Sequence, residues 1–142
     1  MNKRVLLHII LFVLIFGCDN IKDEKQVPFE KLSSDVTGIN FSNIITPNIE
    51  TSENLFDYDY FYNGSGVGIA DINNDGLKDI LFTANQQMNR LFLNKGNLTF
   101  EDISELSNIN TKNKKWSSGV TFADVNNDGW IDIYISQGGP YD

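Results

Sequence analysis

A nine-residue stretch occurs twice in this chain, as DINNDGLKD at Asp71–Asp79 and as DVNNDGWID at Asp124–Asp132. Both copies carry an oxygen-bearing side chain at positions 1, 3, 5 and 9 and a glycine at position 6. Asp, Asn and Gly are the ordinary residues of surface turns, and one such cluster could be no more than a turn. Two copies that agree at every oxygen-bearing position ask for a further reason.

That reason is the coordination chemistry of a hard cation. Calcium takes six to eight oxygen ligands at about 2.3–2.6 Å, and a chain wrapped round it can aim alternate residues inward. The first copy offers Asp71, Asn73, Asp75, the backbone carbonyl of Leu77, and Asp79; the second offers Asp124, Asn126, Asp128, the carbonyl of Trp130, and Asp132. Gly76 and Gly129 stand where the reversal needs a positive φ. Carboxylates about 5 Å apart repel by about 3 kcal/mol per pair at an effective dielectric of 20, so the spacing predicts a loop that depends on a cation for order. A helix-loop-helix calcium hand needs Glu at position 12. Phe82 and Ile135 stand there, so the loop closes at position 9 and leads into a strand.

The loops are the centre of a longer repeat. Shifting Ser65–Ala84 by 53 residues onto Ser118–Gln137 leaves 11 of 20 positions identical. A period near that length points to propeller-type arrays. Within one period four short strands are expected: Gly66–Ala70 into the loop, Asp79–Ala84 out of it, then Arg90–Asn94 and Leu98–Asp102 around the turn Lys95-Gly96-Asn97. Ile103–Lys115 reads as the crossing to the next unit, which Trp116–Ala123 opens. DILFTA and RLFLN are rich in large apolar residues, as buried strands are. The fold class expected is all-β, built from four-stranded antiparallel propeller blades with calcium loops.

Residues 1–17 read as an export signal. Lys3 and Arg4 precede Val5–Phe16, which is apolar apart from His8 and shorter than the roughly 20 residues a bilayer span takes. The run ends in LIFGC, which resembles the lipobox of bacterial lipoproteins, with Gly17 before a cysteine, Cys18, that would carry the lipid. The competing reading is a plain secretory signal with a free thiol. Cys18 is the only cysteine, so no intrachain disulfide can form. His8 is the only histidine, which leaves the rest of the chain without Ser-His-Asp, Cys-His or His-zinc chemistry.

Residues 18–40 are polar and read as a flexible tether. Lys22-Asp23-Glu24 resembles the acidic surface-export signals of some bacterial lipoproteins; a merely solvated linker is the alternative. Residues 41–142 form the repeat region. Near its start NLFDYDYFYNGSG would place Phe56, Tyr58, Tyr60 and Tyr62 on one face if it were a strand, with Asn63-Gly64 as a turn.

GVGIADINNDGLKDILFTANQQMNRLFLNKGNLTFEDIS resembles the FG-GAP, or VCBS-type, repeat of integrin-α-like propellers. It is also similar to the N-terminal part of large bacterial lipoproteins related to the cartilage acidic protein family. The resemblance runs over about Tyr62 to Tyr141 and puts calcium ligands on the side chains already named. It implies about seven blades in a surface protein that binds other macromolecules. Because a blade array closes with about four or more blades, the chain is expected to be the N-terminal part of a longer protein, with a short protein that assembles with partners as the alternative.

Charge narrows the partners. The formal net charge is −8; without Lys3 and Arg4 it is −10, and two calcium ions would bring it to −6. Nucleic acid is disfavoured, since its binding rests on neutralising phosphates with Lys and Arg. The basic cluster Lys112-Asn113-Lys114-Lys115 reads as a solvated loop. The function expected is a calcium-binding, lipid-anchored module of the outer membrane, displayed at the cell surface as a scaffold or as a receptor for a protein or glycan. It is not expected to be an enzyme. The alternative is part of an extracellular glycan-active enzyme using a carboxylate pair, for which Asp57 and Asp59 are the paired acids outside the loops.

Overall fold

The computed structural model describes residues 29–110 and 116–139. The signal at 1–17, Cys18, the acidic cluster at 22–24, the basic cluster at 112–115 and residues 140–142 lie outside the described residues. Two compact units divide the chain, Met1–Lys31 and Leu32–Asp142. The second takes in the last part of the stretch read as tether, where Ser34–Thr37 makes one helical turn ended by Gly38 at φ 76°. Among the described residues no helix is long and apolar enough to cross a membrane.

Six strands follow in chain order: β1 Val67–Ala70, β2 Asp79–Phe82, β3 Arg90–Asn94, β4 Phe100–Asp102, β5 Ser117–Ala123 and β6 Asp132–Gln137. β1 to β4 form one antiparallel sheet in sequential order, and β5 and β6 pair as a second. The first sheet is the four-stranded blade expected from the repeat. In each sheet a nine-residue loop joins the first two strands, so Ala70 pairs with Asp79 and Ala123 with Asp132.

Alternation assigns the faces of the first blade. Gly68 lies opposite Leu81, which lies opposite Leu91. Leu81 and Leu91 are both buried. Full burial of each such side chain stabilises the fold by about 1.5–3 kcal/mol relative to exposure. The other face carries Ile80 and Phe92 in register, with Phe82 stacked on Phe41 at 5.0 Å and edge-on to Phe92 at 5.9 Å.

The two sheets meet through small residues. A side chain on Gly66 would press against the backbone of Gly119, and one on Gly68 would collide with the Phe122 ring and the Val120 methyl. Glycine at Gly68 therefore lets the apolar side of β5 approach β1. Three polar contacts complete the junction: the Ser117 amide donates to the Ala84 carbonyl at 3.1 Å, Ser65 Oγ to the Ser117 carbonyl at 2.9 Å, and Asn85 Nδ2 to the same carbonyl at 3.2 Å.

Asn85, 2% exposed, also ties the N-terminal segment to the blade. It exchanges hydrogen bonds with Asn43, at 2.6 Å from Asn43 Nδ2 and 3.1 Å to Asn43 Oδ1, while the Gln86 amide pairs with both backbone groups of Thr46. The polar connection after β2 is thus an anchor. Every buried side-chain polar atom among the described residues has a partner, as the cost of desolvating an unpaired one requires.

The aromatic stretch differs from the strand considered for it. Residues 54–63 form successive turns, with the amide of Tyr58 bonded to the Asn54 carbonyl, Phe61 to Tyr58, and Asn63 to Tyr60. Asn54 initiates them: its buried Oδ1 accepts the Phe56 and Asp57 amides, the side-chain turn that favours Asn outside regular structure. Phe56, Tyr60 and Tyr62 are consequently exposed, and the buried ring is Phe61, packed on buried Trp116 at 5.4 Å.

Candidate metal centre

Each loop folds round the carboxylate at its first position. In the first, Asp71 Oδ1 accepts the Asp75 amide at 3.1 Å and Asp71 Oδ2 the Gly76 amide at 2.8 Å. Asn73 Oδ1 also accepts the Asp75 amide, while Asn73 Nδ2 donates to Asp75 Oδ2 at 2.9 Å. Asp75 Oδ1 takes the Leu77 amide at 2.8 Å, and Asp79 Oδ2 takes the Ile72 amide at 3.0 Å. Asn74 and Gly76 hold the reversal at φ 59° and 88°, values that Asn and Gly reach at least cost.

The second loop repeats this bond for bond. Asp124 receives the Asp128 and Gly129 amides at 3.1 and 2.9 Å, Asn126 bridges to Asp128, Asp128 Oδ1 takes the Trp130 amide at 2.8 Å, and Asp132 takes the Val125 amide at 3.0 Å. Asn127 and Gly129 sit at φ 60° and 87°. The repulsion expected among the carboxylates therefore meets N–H donors supplied by the loop itself, and the carboxylates are oriented by those donors.

Electrostatics agree with that picture. The Leu77 amide foremost, then the Asn73 side chain and last Lys95, lower the pKa of Asp75 and outweigh the opposing effect of desolvation. Asp75 is thus held as an anion on an exposed loop.

The donor set suits a hard cation: carboxylates, a carboxamide oxygen and a backbone carbonyl in each loop, with no sulfur or imidazole. Each carboxylate oxygen that accepts one N–H keeps further acceptor capacity. Among the described residues no three His, Cys, Asp or Glu side chains are gathered to hold an ion by themselves. A cation here would therefore draw on the Asn73 or Asn126 amide oxygen and the Leu77 or Trp130 carbonyl together with the carboxylates. In the first loop the position-9 acid serves two purposes, because Asp79 is 1% exposed and its Oδ1 accepts the Asn94 amide of β3 at 2.9 Å.

Three contributors escaped the spacing argument. Asn94 braces Asp79 from β3 and returns its own side chain to the Lys78 carbonyl. Lys95 lies close enough to act on Asp75. Asn74 reaches out of its loop to donate to the Gly129 carbonyl of the other loop at 3.2 Å, so the two loops stand side by side. Its only sequence signal was the identity of position 4 in both copies. Of the paired acids, Asp57 is bonded through Oδ2 by Asn54 at 2.5 Å as part of the turn.

Antiparallel blades opening on a repeated DxNxDG loop, glycine-packed against one another, define a repeat protein of the propeller-blade type. Residues 71–135 match the family model of the FG-GAP-like repeat, and that segment carries such a repeat. Among curated proteins, cartilage acidic protein 1 of Xenopus tropicalis is 32% identical over 117 residues, an alignment that takes in 80% of this chain and 18% of that protein. The chain thus spans less than a fifth of that relative. No solved structure matches.

Proposed function

We propose that this chain is a calcium-braced recognition or scaffold segment, tethered to the bacterial envelope through Cys18 and displayed at the outer-membrane surface for a protein or glycan partner. The observation that carries the reading is the pair of loops: two nine-residue segments, 53 residues apart, adopt one hydrogen-bond pattern and lie against each other at one end of adjacent sheets.

Asp71, Asn73, Asp75, the Leu77 carbonyl and Asp79 would hold one ion; Asp124, Asn126, Asp128, the Trp130 carbonyl and Asp132 would hold the other. When bound, calcium supplies charge neutralisation and a fixed radius for the turn. The chain's own residues do the rest: the loop amides set the carboxylate rotamers, and β1–β2 and β5–β6 hold the loop ends one strand spacing apart. Rigid scaffolds that present loops in this way are where binding surfaces concentrate. Leu77, Val125 and Trp130 are exposed on the loops and offer apolar contact beside the charge.

Affinity at such an extracellular site is expected on the order of 10⁻⁴–10⁻³ M. Thermal unfolding of the chain in millimolar calcium and then in chelator tests the reading. A rise in melting temperature with calcium that disappears in the Asp75→Ala/Asp128→Ala variant supports it; identical melting in both conditions refutes the metal role. Fractionation of cells with labelled palmitate tests the anchor, since label that persists in Cys18→Ser would place lipid elsewhere.

A further inference from the structure

Position 4 of each loop carries no ligand in the alternating pattern, yet it is Asn in both copies. In the first loop that residue, Asn74, lies between two candidate ligands, Asn73 and Asp75. Its Nδ2 donates to the Gly129 carbonyl across the gap between the sheets. The peptide that begins at this carbonyl ends in the Trp130 amide, which donates to Asp128 Oδ1 at 2.8 Å. The Gly129 amide, on the other side of the same residue, donates to Asp124 Oδ2 at 2.9 Å. One side chain of loop 1 therefore grips the residue of loop 2 whose flanking N–H groups orient two of its carboxylates.

We propose that calcium occupancy of the two loops is positively coupled, and that the Asn74 carboxamide carries the coupling to the Gly129–Trp130 peptide. The proposal rests on the calcium reading of the loops and adds the regulation of those sites to it. Ordering loop 1 round an ion fixes Asn73 and Asp75, and with them the backbone of Asn74 at φ 59°. The held carboxamide then fixes the peptide that presents Asp128 and the Trp130 carbonyl, so the second loop loses less freedom on binding. Linkage makes the effect reciprocal: each occupied loop raises the affinity of the other by one common factor. The bare alternative is that Asn stands at position 4 because it tolerates the left-handed conformation. Glycine tolerates that conformation as well and has no amide to donate, so Asn74→Gly separates the two explanations.

Trp130, on loop 2 and exposed, is a built-in reporter, and loop 1 has Leu77 in its place. Calcium titration of the full chain followed by Trp130 fluorescence reads loop 2, with Asp124→Ala identifying the part of the signal that comes from that loop. Coupling predicts that Asp71→Ala, which disables loop 1, weakens the loop 2 midpoint by about fivefold or more. Asn74→Gly should weaken it to a similar extent, and adding Asp71→Ala to Asn74→Gly should change it no further. A saturable loop 2 midpoint that is the same in wild type, Asp71→Ala and Asn74→Gly overturns the coupling and leaves the calcium reading standing. A wild-type chain with no saturable response to calcium overturns both.

Discussion

The two loops are alike in sequence and hydrogen bonding, but the sheets behind them are not alike. Asp79 is buried and braced from β3 by the Asn94 amide, whereas Asp132 is half-buried and, among the described residues, its Oδ2 receives the Val125 amide of its own loop. Two residues further along β2 and β6, Leu81 is fully buried and its repeat counterpart Tyr134 is 69% exposed. The nine-residue pattern thus dictates the loop by itself, while the burial of the strand that follows depends on neighbours. In the first sheet β2 lies between β1 and β3, with β4 beyond β3; β6 has only β5 beside it among the described residues.

The largest test of this contrast is in the core. Leu81→Ala should cost about 2–5 kcal/mol, the range for truncating a buried leucine, while Tyr134→Ala should stay within about 0.5 kcal/mol, as exposed substitutions do. Urea unfolding of both variants checks it, and similar losses would mean that β6 is buried in solution. Next come the position-9 acids. Asp79→Ala leaves the half-buried Ile72 and Asn94 amides without their acceptor and should cost about 1–3 kcal/mol in chelator; Asp132→Ala should cost clearly less, as read by the same unfolding curves.

The junction between the sheets comes third. Gly68→Ala forces a methyl against the Phe122 ring and the Val120 side chain and should destabilise by about 1–3 kcal/mol, the usual range for overpacking. Gly68→Ala with Phe122→Leu should recover part of that loss in the same assay, because the ring edge is what the methyl meets.

The smallest effect is acid sensitivity. Burial of Asp102 acts to raise its pKa, but the Ser104 hydroxyl and amide and the Arg90 guanidinium at 3.2 Å outweigh it and leave the pKa lowered. A depressed folded pKa means stability that is present above the unfolded value of 3.8 and lost as pH falls through the folded one. Asp102→Asn should therefore flatten the stability profile below about pH 4, and an unchanged slope between pH 4 and 2 would contradict the assignment. This group sits on β4, so the comparison sharpens again: the second sheet has no described counterpart of that pair.

Much of this was legible in the chain. The repeat located five of the six strands to within a residue or two, because a loop with fixed positions 1 to 9 pins the strand ends on both sides of it. The faces of β1, with Gly68 and Ala70 buried and Val67 and Ile69 exposed, came from the structure. The turns at 54–63 were not legible in the same way. Phe56, Tyr58, Tyr60 and Tyr62 alternate as a strand would, but the Asn54 side chain captures two backbone amides that a strand would need for its ladder.

By itself the sequence determined the local events: where the chain reverses, which oxygens each loop gathers, and which stretches become strands. These depend on residues within nine positions of one another, on the reach of Asp and Asn side chains to nearby amides and on the freedom of Gly76 and Gly129 at positive φ. Only the tertiary structure decided which copy of a repeated residue is buried, that Asn85 would join three segments, and that Asn74 would meet Gly129 55 residues away. Those outcomes follow from how two twisted sheets pack, and packing is set by residues far apart in the chain whose meeting no local pattern records.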